Sequence, residues 1–215
     1  MERETHTARL VSITPDAEKQ IVYMARVSNP SNQNNMETAP RLIKYLIKHK
    51  HWSPFEMASM QVEIETTRAI AAQVLRHRSF SFQEFSQRYS SVDQLGTVGL
   101  PHLRSQDLKN KQASHDDLDP AKVDLMSKQI QQIYHSTFDY YEYLLSQGVA
   151  KECARSILPL GTPTRLYMSG SIRSWIHYIQ IRAGVETQLE HRLIAEAVKD
   201  IFEQQLPSVY EAAFT

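Results

Sequence analysis

One cysteine, six glycines, no net charge and no long apolar run are the scarcities of this 215-residue sequence. The single thiol, Cys153, rules out an internal disulfide and a multi-cysteine zinc site, and is expected to pack within a helix. No glycines are spaced as G-x-G-x-x-G or G-x-x-x-x-G-K-S, so the chain has neither a Rossmann fingerprint nor a P-loop. Any dinucleotide must then be held by arginines, short polar side chains and helix N-termini. Twenty-four Lys and Arg balance 24 Asp and Glu, which argues against a general nucleic-acid binder, because affinity for a polyanion needs many spread cations. No stretch reaches the roughly 18 uninterrupted apolar residues of a membrane span, and the charged start Met1-Glu2-Arg3-Glu4 leads into no apolar signal core. A cytoplasmic location is the default expectation.

The neutrality conceals a local excess. Between Glu65 and Asp93 stand Arg68, Arg76, His77, Arg78 and Arg88 against one carboxylate, Glu84. Guanidinium forks hold phosphate in a bidentate manner, so the cluster reads as a site for a small phosphorylated ligand.

The chain length suits one domain, 1–215, with helices and strands mixed throughout. Ala8 to Ile13 and Met57 to Glu65 alternate as strands, and Thr164 to Ser169 is a third candidate. Helical spacing covers Asp16 to Val27, Ala39 to Lys50, Thr67 to Leu75, Lys122 to Leu145, Ala150 to Leu158, Ile172 to Arg182 and Gln188 to Gln205. In the longest helix Met126, Ile130, Ile133, Thr137, Tyr141 and Leu144 trace an expected buried stripe, and in the last Leu189, Leu193, Ala197 and Ile201 repeat every four residues. Ser171 is placed to cap the helix from Ile172, where Arg173, His177 and Gln180 share a polar face beside an apolar stripe of Ile172, Ile176 and Ile179. Gly96 to Pro120 is polar and too long for an ordinary connection, and is expected to be a mobile flap near the substrate.

Arg76-His77-Arg78, seven residues, Ser86 and then Arg88 resemble the signature of flavin-dependent thymidylate synthases. The likeness extends to His51-Trp52-Ser53-Pro54-Phe55-Glu56, to Glu152-Cys153-Ala154-Arg155 with the residues through Leu160, and to Ile172-Arg173-Ser174 and Ile181-Arg182, so it runs from about Arg9 to about Pro207. It implies an α+β fold with an antiparallel β-sheet packed by long α-helices, in a homotetramer whose active sites lie between subunits. It also implies conversion of dUMP to dTMP with methylenetetrahydrofolate as carbon donor and FAD, reduced by NADPH, as hydride source. Carried over by position, His51, Ser53, Arg76, His77, Arg78, Glu84, Ser171, Arg173 and His177 would contact FAD, and Gln73, Arg76, Glu84, Ser86, Gln87, Arg88, Arg155 and Arg182 would contact dUMP. Arg182 falls on the family's substrate-activating arginine, where a fixed guanidinium stabilises negative charge developing on the uracil ring.

Two stretches depart from the family pattern. Ser171-Ile172-Arg173 stands where many members have Asn-Ala-Arg, so a hydroxyl or backbone donors replace a side-chain amide. The stretch after Arg182, Ala183-Gly184-Val185-Glu186-Thr187-Gln188-Leu189-Glu190-His191, differs from the commoner Gln-Trp-Glu-Ile-Arg form of this region, and local differences in subunit packing are expected there. Neither Ser86 nor Cys153 has the neighbours of an activated nucleophile in the sequence, so catalysis without an enzyme nucleophile is expected. His49-Lys50-His51 and Glu190-His191 lack a third ligand at a recognised spacing, and no metal is expected.

Two other readings of the same residues stay open at this level. One is an RNA- or nucleotide-binding module that stacks bases on Phe80, Phe82 and Phe85 between Arg76, Arg78 and Arg88, and the other is a phosphohydrolase using His77 with Glu84. Absorbance separates them: the synthase reading requires that the purified protein be yellow with a flavin spectrum, whereas a colourless protein that retains oligonucleotides supports the RNA-binding module.

Overall fold

The computed structural model describes residues 2–96 and 98–215. Along the chain run β1 (Thr7–Ile13), α1 (Ala17–Ala25), α2 (Ala39–Lys48), β2 (Ser59–Thr67), α3 (Arg68–Val74), β3 (Ser81–Glu84), β4 (Ser105–Gln106) and β5 (Ser114–His115). They are followed by α4 (Pro120–Ser146), α5 (Lys151–Ala154), β6 (Pro163–Ser171), α6 (Ile172–Arg182), α7 (Leu189–Gln205) and α8 (Pro207–Phe214). The chain divides into two compact units: residues 1–6, 65–74 and 84–166 form the first, and residues 7–64, 75–83 and 167–215 the second.

In the second unit the strands follow the order β1-β2-β6-β3. Their pairing is antiparallel, since partners ascend on one strand as they descend on the next. Arg9 faces Glu63 while Thr14 N–H reaches the Ser59 carbonyl at 2.9 Å, and Gln61 bonds Ser169 at 3.1 Å while Ile172 N–H reaches the Ala58 carbonyl at 2.9 Å. Glu63 is buried, and its charge is offset by Arg9, which donates to both carboxylate oxygens at 2.6 and 2.9 Å. The core combines Ile21 and Val22 of α1, Ile43 and Leu46 of α2, Met60 and Val62 of β2, and Trp175, Ile176 and Ile179 of α6. Trp175 is fully buried, and its indole N–H donates to the Met60 carbonyl at 3.0 Å, so the largest side chain of this core carries no unsatisfied polar atom.

In the first unit Tyr141 of α4 packs with Val92 and Ala154, with Phe138, Leu144 and Leu158 around them. Asp119 caps α4 by accepting from Lys122 N–H at 3.0 Å, and Pro120 occupies the first turn, where its missing N–H costs nothing. Glu65 and Arg165 pair across the ladder, and Phe85 N–H bonds the Arg165 carbonyl at 2.9 Å.

Several expectations are corrected. Of the predicted α4 stripe only Tyr141 is fully buried, and Ile133 is exposed, because the core of this unit reaches only the C-terminal half of the helix. On α7 the buried face is His191, Ile194, Ala195, Val198, Ile201 and Phe202, with Leu193 exposed. A strict four-residue repeat drifts around a 3.6-residue helix, so of the repeating Leu189, Leu193, Ala197 and Ile201 only Ile201 falls on that face. Cys153 lies on α5 as expected but is exposed rather than packed. The stretch 96–120 carries the antiparallel hairpin β4–β5, and Thr97 within it lies outside the described residues. Neither β3 nor α8 was expected.

Gly170 of β6 passes close under the Phe80 ring: a Cβ added there would sit 2.5 Å from Phe80 Cδ1. The ring cannot move aside easily, since it is buried with its centroid 4.7 Å from that of Trp175 and 6.0 Å from that of Tyr178. Gly170→Ala is therefore expected to destabilise the fold by about 1 to 3 kcal/mol, as overpacking does, read as a lowered urea midpoint at fixed protein concentration.

Candidate functional site

In the second unit, α6 opens as its sequence dictates. The Ser171 hydroxyl accepts from Ser174 N–H at 3.3 Å, the serine cap that satisfies a first-turn donor. Ser171 also donates to Glu56, and Arg173 donates to the same carboxylate at 2.8 Å. The hydrogen bond from Ser171, followed by Arg173, holds the Glu56 carboxyl below its ordinary range. The Ser174 hydroxyl reaches the Ser79 carbonyl at 3.3 Å, which ties the segment after α3 to the start of this helix.

These side chains border a cavity of about 360 Å³ whose lining includes Trp52, Glu56, Ser79, Arg173, His177 and Gln180. The expected polar face of α6 is thus assembled, while Ile172, Ile176 and Ile179 are buried as the expected stripe. Glu56, Trp52 and Ser79 were absent from the site predicted from sequence, although the run from His51 to Glu56 was the available signal. His51 is exposed beside His49 and Tyr45, with centroids 6.2 and 5.9 Å away, and is not among the lining residues. Ser53 begins a short 3-10 turn, and Arg76 and Arg78 lie exposed just beyond α3.

On another flank of α6, the buried Tyr178 and His191 meet the half-buried His77 and Arg182. Arg182, in the last turn, donates from Nε to His77 Nε2 at 3.0 Å. The His77 ring lies 4.9 Å from the Tyr178 ring and 6.0 Å from that of His191. His191 is fully buried, with Nε2 3.1 Å from the Tyr178 hydroxyl and Nδ1 without a partner. Burial first, then the Arg182 charge, push His77 down to about 4 and His191 down to about 3, with His177 adding to the first and His77 to the second. Burial pushes the Tyr178 phenol up, so it stays protonated. None of Tyr178, His191 and the contact itself was legible beforehand; the ordinary composition of α7 gave no sign that one of its buried positions is a histidine facing the signature.

In the first unit, Ser86 and Arg88 border a shallow cavity of about 320 Å³ with Tyr89, Ala150, Lys151 and Glu152. Arg88 bonds Glu152 at 3.1 Å, and Lys151 Nζ donates to the Tyr89 carbonyl at 2.9 Å. Gln87 is buried, and its side-chain nitrogen has no partner, a rare condition for a buried donor. Glu84 is engaged by Arg68 and accepts from Thr164 Oγ1 at 3.0 Å. Gln73 is half-buried on α3, and Arg155 half-buried in the turn after α5. A cavity of about 540 Å³ lined mainly by Val92, Val98, Phe138, Tyr141 and Leu145 contains none of the predicted residues. Among the described residues no group of three His, Cys, Asp or Glu is placed to hold a metal ion.

The chain is similar to known proteins along nearly its whole length. The family described as thymidylate synthase complementing protein matches residues 9–208. A protein of Paramecium bursaria Chlorella virus 1 described as a probable flavin-dependent thymidylate synthase is 50% identical over 213 residues, covering 96% of this chain and 98% of its own. A flavin-dependent thymidylate synthase of Synechocystis is 50% identical over 192 residues, 89% of this chain and 87% of that protein. The UMP/dUMP methylase PolB of Streptomyces cacaoi, bound with 5-Br dUMP, superposes with a TM-score of 0.84 at 26% identity, over 99% of this chain and 96% of that one.

The buried histidines fix a pH dependence. Unfolded histidines take up a proton near pH 6.5, whereas His77 and His191 resist until about 4 and about 3, so stability is complete above pH 6.5 and declines as pH falls. For the fully buried His191 this is a loss on the order of 2 kcal/mol between pH 7 and pH 5. Urea midpoints at the two pH values should show the decline, and His191→Ile should flatten it.

Proposed function

We infer the activity from one premise: the chain belongs to the thymidylate synthase complementing protein family, the flavin-dependent thymidylate synthases. It methylates dUMP to dTMP. FAD, reduced by NADPH, supplies hydride when bound, and methylenetetrahydrofolate supplies the carbon.

The observation that best carries this reading to particular residues is the orphaned amide of Gln87. A buried donor without a partner costs about 1 to 3 kcal/mol, and it stands between Ser86 and Arg88, both of which border an open cavity. In this reading the nucleotide phosphate is held by Ser86 and Arg88 at that cavity, and the Gln87 amide, which does not line it, is assigned to the rest of the nucleotide. Gln73, Arg76, Glu84 and Arg155 complete the proposed dUMP set, with Arg182 on the ring. Reduction at C6 and bond formation at C5 move negative charge onto the N3 and O2/O4 edge, and Arg182 stabilises it as the catalytic residue. The reaction uses no enzyme nucleophile, so neither Ser86 nor the exposed Cys153 is given a covalent role.

For the flavin, the cavity at the start of α6 offers the Trp52 ring, the hydroxyl of Ser174, Arg173, His177 and the amide of Gln180, a donor set that fits ring carbonyls and phosphates. By the resemblance alone His51, Ser53, Arg76, Arg78, Glu84 and Ser171 are proposed as further flavin contacts, whereas His77, carried over with them, is engaged by Arg182 instead. At about 360 Å³ the cavity is too small to enclose a whole dinucleotide, which supports sites completed by a second subunit. The exposed Leu125, Ile133, Tyr140 and Tyr143 on α4 support the same homotetramer. Residues 1–215 are proposed to act as one synthase domain in the cytoplasm; among the described residues no helix is long and apolar enough to cross a membrane. The RNA-binding reading is weakened by Phe80, whose ring is buried in the core rather than free to stack on a base.

The deciding experiment follows flavin oxidation with NADPH and methylenetetrahydrofolate, with and without dUMP, and detects dTMP. Arg182→Ala should abolish dTMP formation while flavin stays bound. Near-normal turnover in that variant would remove Arg182 from its role.

A further inference from the structure

We propose that His77 is a positioning residue that aims the Arg182 guanidinium by accepting its Nε–H, an inference that rests on the thymidylate synthase reading of the site. Arginine Nε is always a donor, so His77 Nε2, 3.0 Å away, must present its lone pair. That fixes the ring as the neutral form with its proton on Nδ1. A protonated imidazole would place a hydrogen against a hydrogen and a cation beside a cation.

The surroundings enforce the neutral form. His77 lies against Tyr178 and His191, which are buried, and burial first, then the charges of Arg182 and His177, keep it from taking up a proton near neutrality. No carboxylate contributes to that shift, so nothing nearby rewards a cation.

The consequence lies in the donors that remain. Arginine has five N–H groups, and using the one on Nε leaves the four on the two Nη atoms, which form a flat edge suited to a carbonyl and ring-nitrogen pair. A guanidinium held by one hydrogen bond at its inner corner loses rotational freedom before substrate arrives, and a donor already in place is what transition-state stabilisation requires. His77 thus acts on the uracil through Arg182, and its presence in the Arg-His-Arg signature need not reflect contact with the flavin.

The test pairs His77→Leu, which removes the acceptor, with His77→Gln, whose carbonyl oxygen reaches the position of Nε2. In the flavin-loaded enzyme, His77→Leu is expected to lower kcat for dTMP formation more than about tenfold while KM for dUMP and the flavin dissociation constant each change less than about threefold, and His77→Gln is expected to recover most of kcat. Unchanged kcat in the Leu variant, loss of flavin affinity parallel to the loss of rate, or no recovery with Gln in a protein of native circular dichroism would each overturn the proposal. A second arm does not depend on activity: ¹⁵N-histidine NMR of the wild-type protein at pH 7 should show His77 with the proton on Nδ1, and Arg182→Lys, which lacks Nε, should shift the Nε2 resonance. The opposite tautomer, or no response to Arg182→Lys, would refute the contact itself. A wild-type enzyme that forms no dTMP but gives the expected resonances would refute the assigned activity instead.

Discussion

The contact on which the site most depends contains no charge. Because Gly170 has no side chain, the Phe80 ring can lie against strand β6 and fill the space beside Trp175 and Tyr178. That ring anchors residues 75–83 within their unit, and the anchored segment brings His77 to Arg182 and the Ser79 carbonyl to Ser174. Polar geometry at the level of a single hydrogen bond is thereby set by apolar packing, which resists deformation far better than a surface loop does.

Some of this was legible in the sequence and some was not, for definable reasons. Helix α6 was read with its bounds, its serine cap and both faces, because all its signals agree: a capping hydroxyl, a clear apolar stripe and an arginine in the last turn. The buried face of α7 was not fixed by its four-residue repeat, because two faces both carry aliphatic residues and only packing, against β1 among others, decides between them. The α4 stripe was misread because helical periodicity reveals a face without revealing what covers it. Strand β3 escaped notice because four residues are too few for alternation to stand out beside the signature. Glu56 and His191 were visible as residues, but their roles arise from partners 117 and 13 positions away, which local pattern does not report.

Two arginines of the run that made the sequence look like an anion site, Arg68 and Arg88, do not stand as bare positive charge, and neither do Arg165 and Arg173 outside it. Arg173 is paired with Glu56, Arg88 with Glu152, Arg68 with Glu84 and Arg165 with Glu65. Glu56, Glu65 and Glu152 stand outside the cationic run, between or beyond the signature's own residues, so a count of charge along the chain overstated the local field. The pairs also hold the guanidinium groups in place before any ligand arrives, at little cost in stability, since exposed pairs contribute about 0 to 1 kcal/mol.

The exposed pair of Arg88 and Glu152 has a consequence for distance. A plus and a minus about 3 Å apart largely cancel beyond a screening length of about 8 to 10 Å, so from solution the pocket beside them shows only the single remaining charge of Lys151. Long polyanions, which find their targets through far-reaching attraction to many spread charges, are given little to follow. On the proposed reading, a small phosphate that diffuses into contact meets a guanidinium it can take over from a single carboxylate, so selection between polymer and monomer is made by range before shape is consulted.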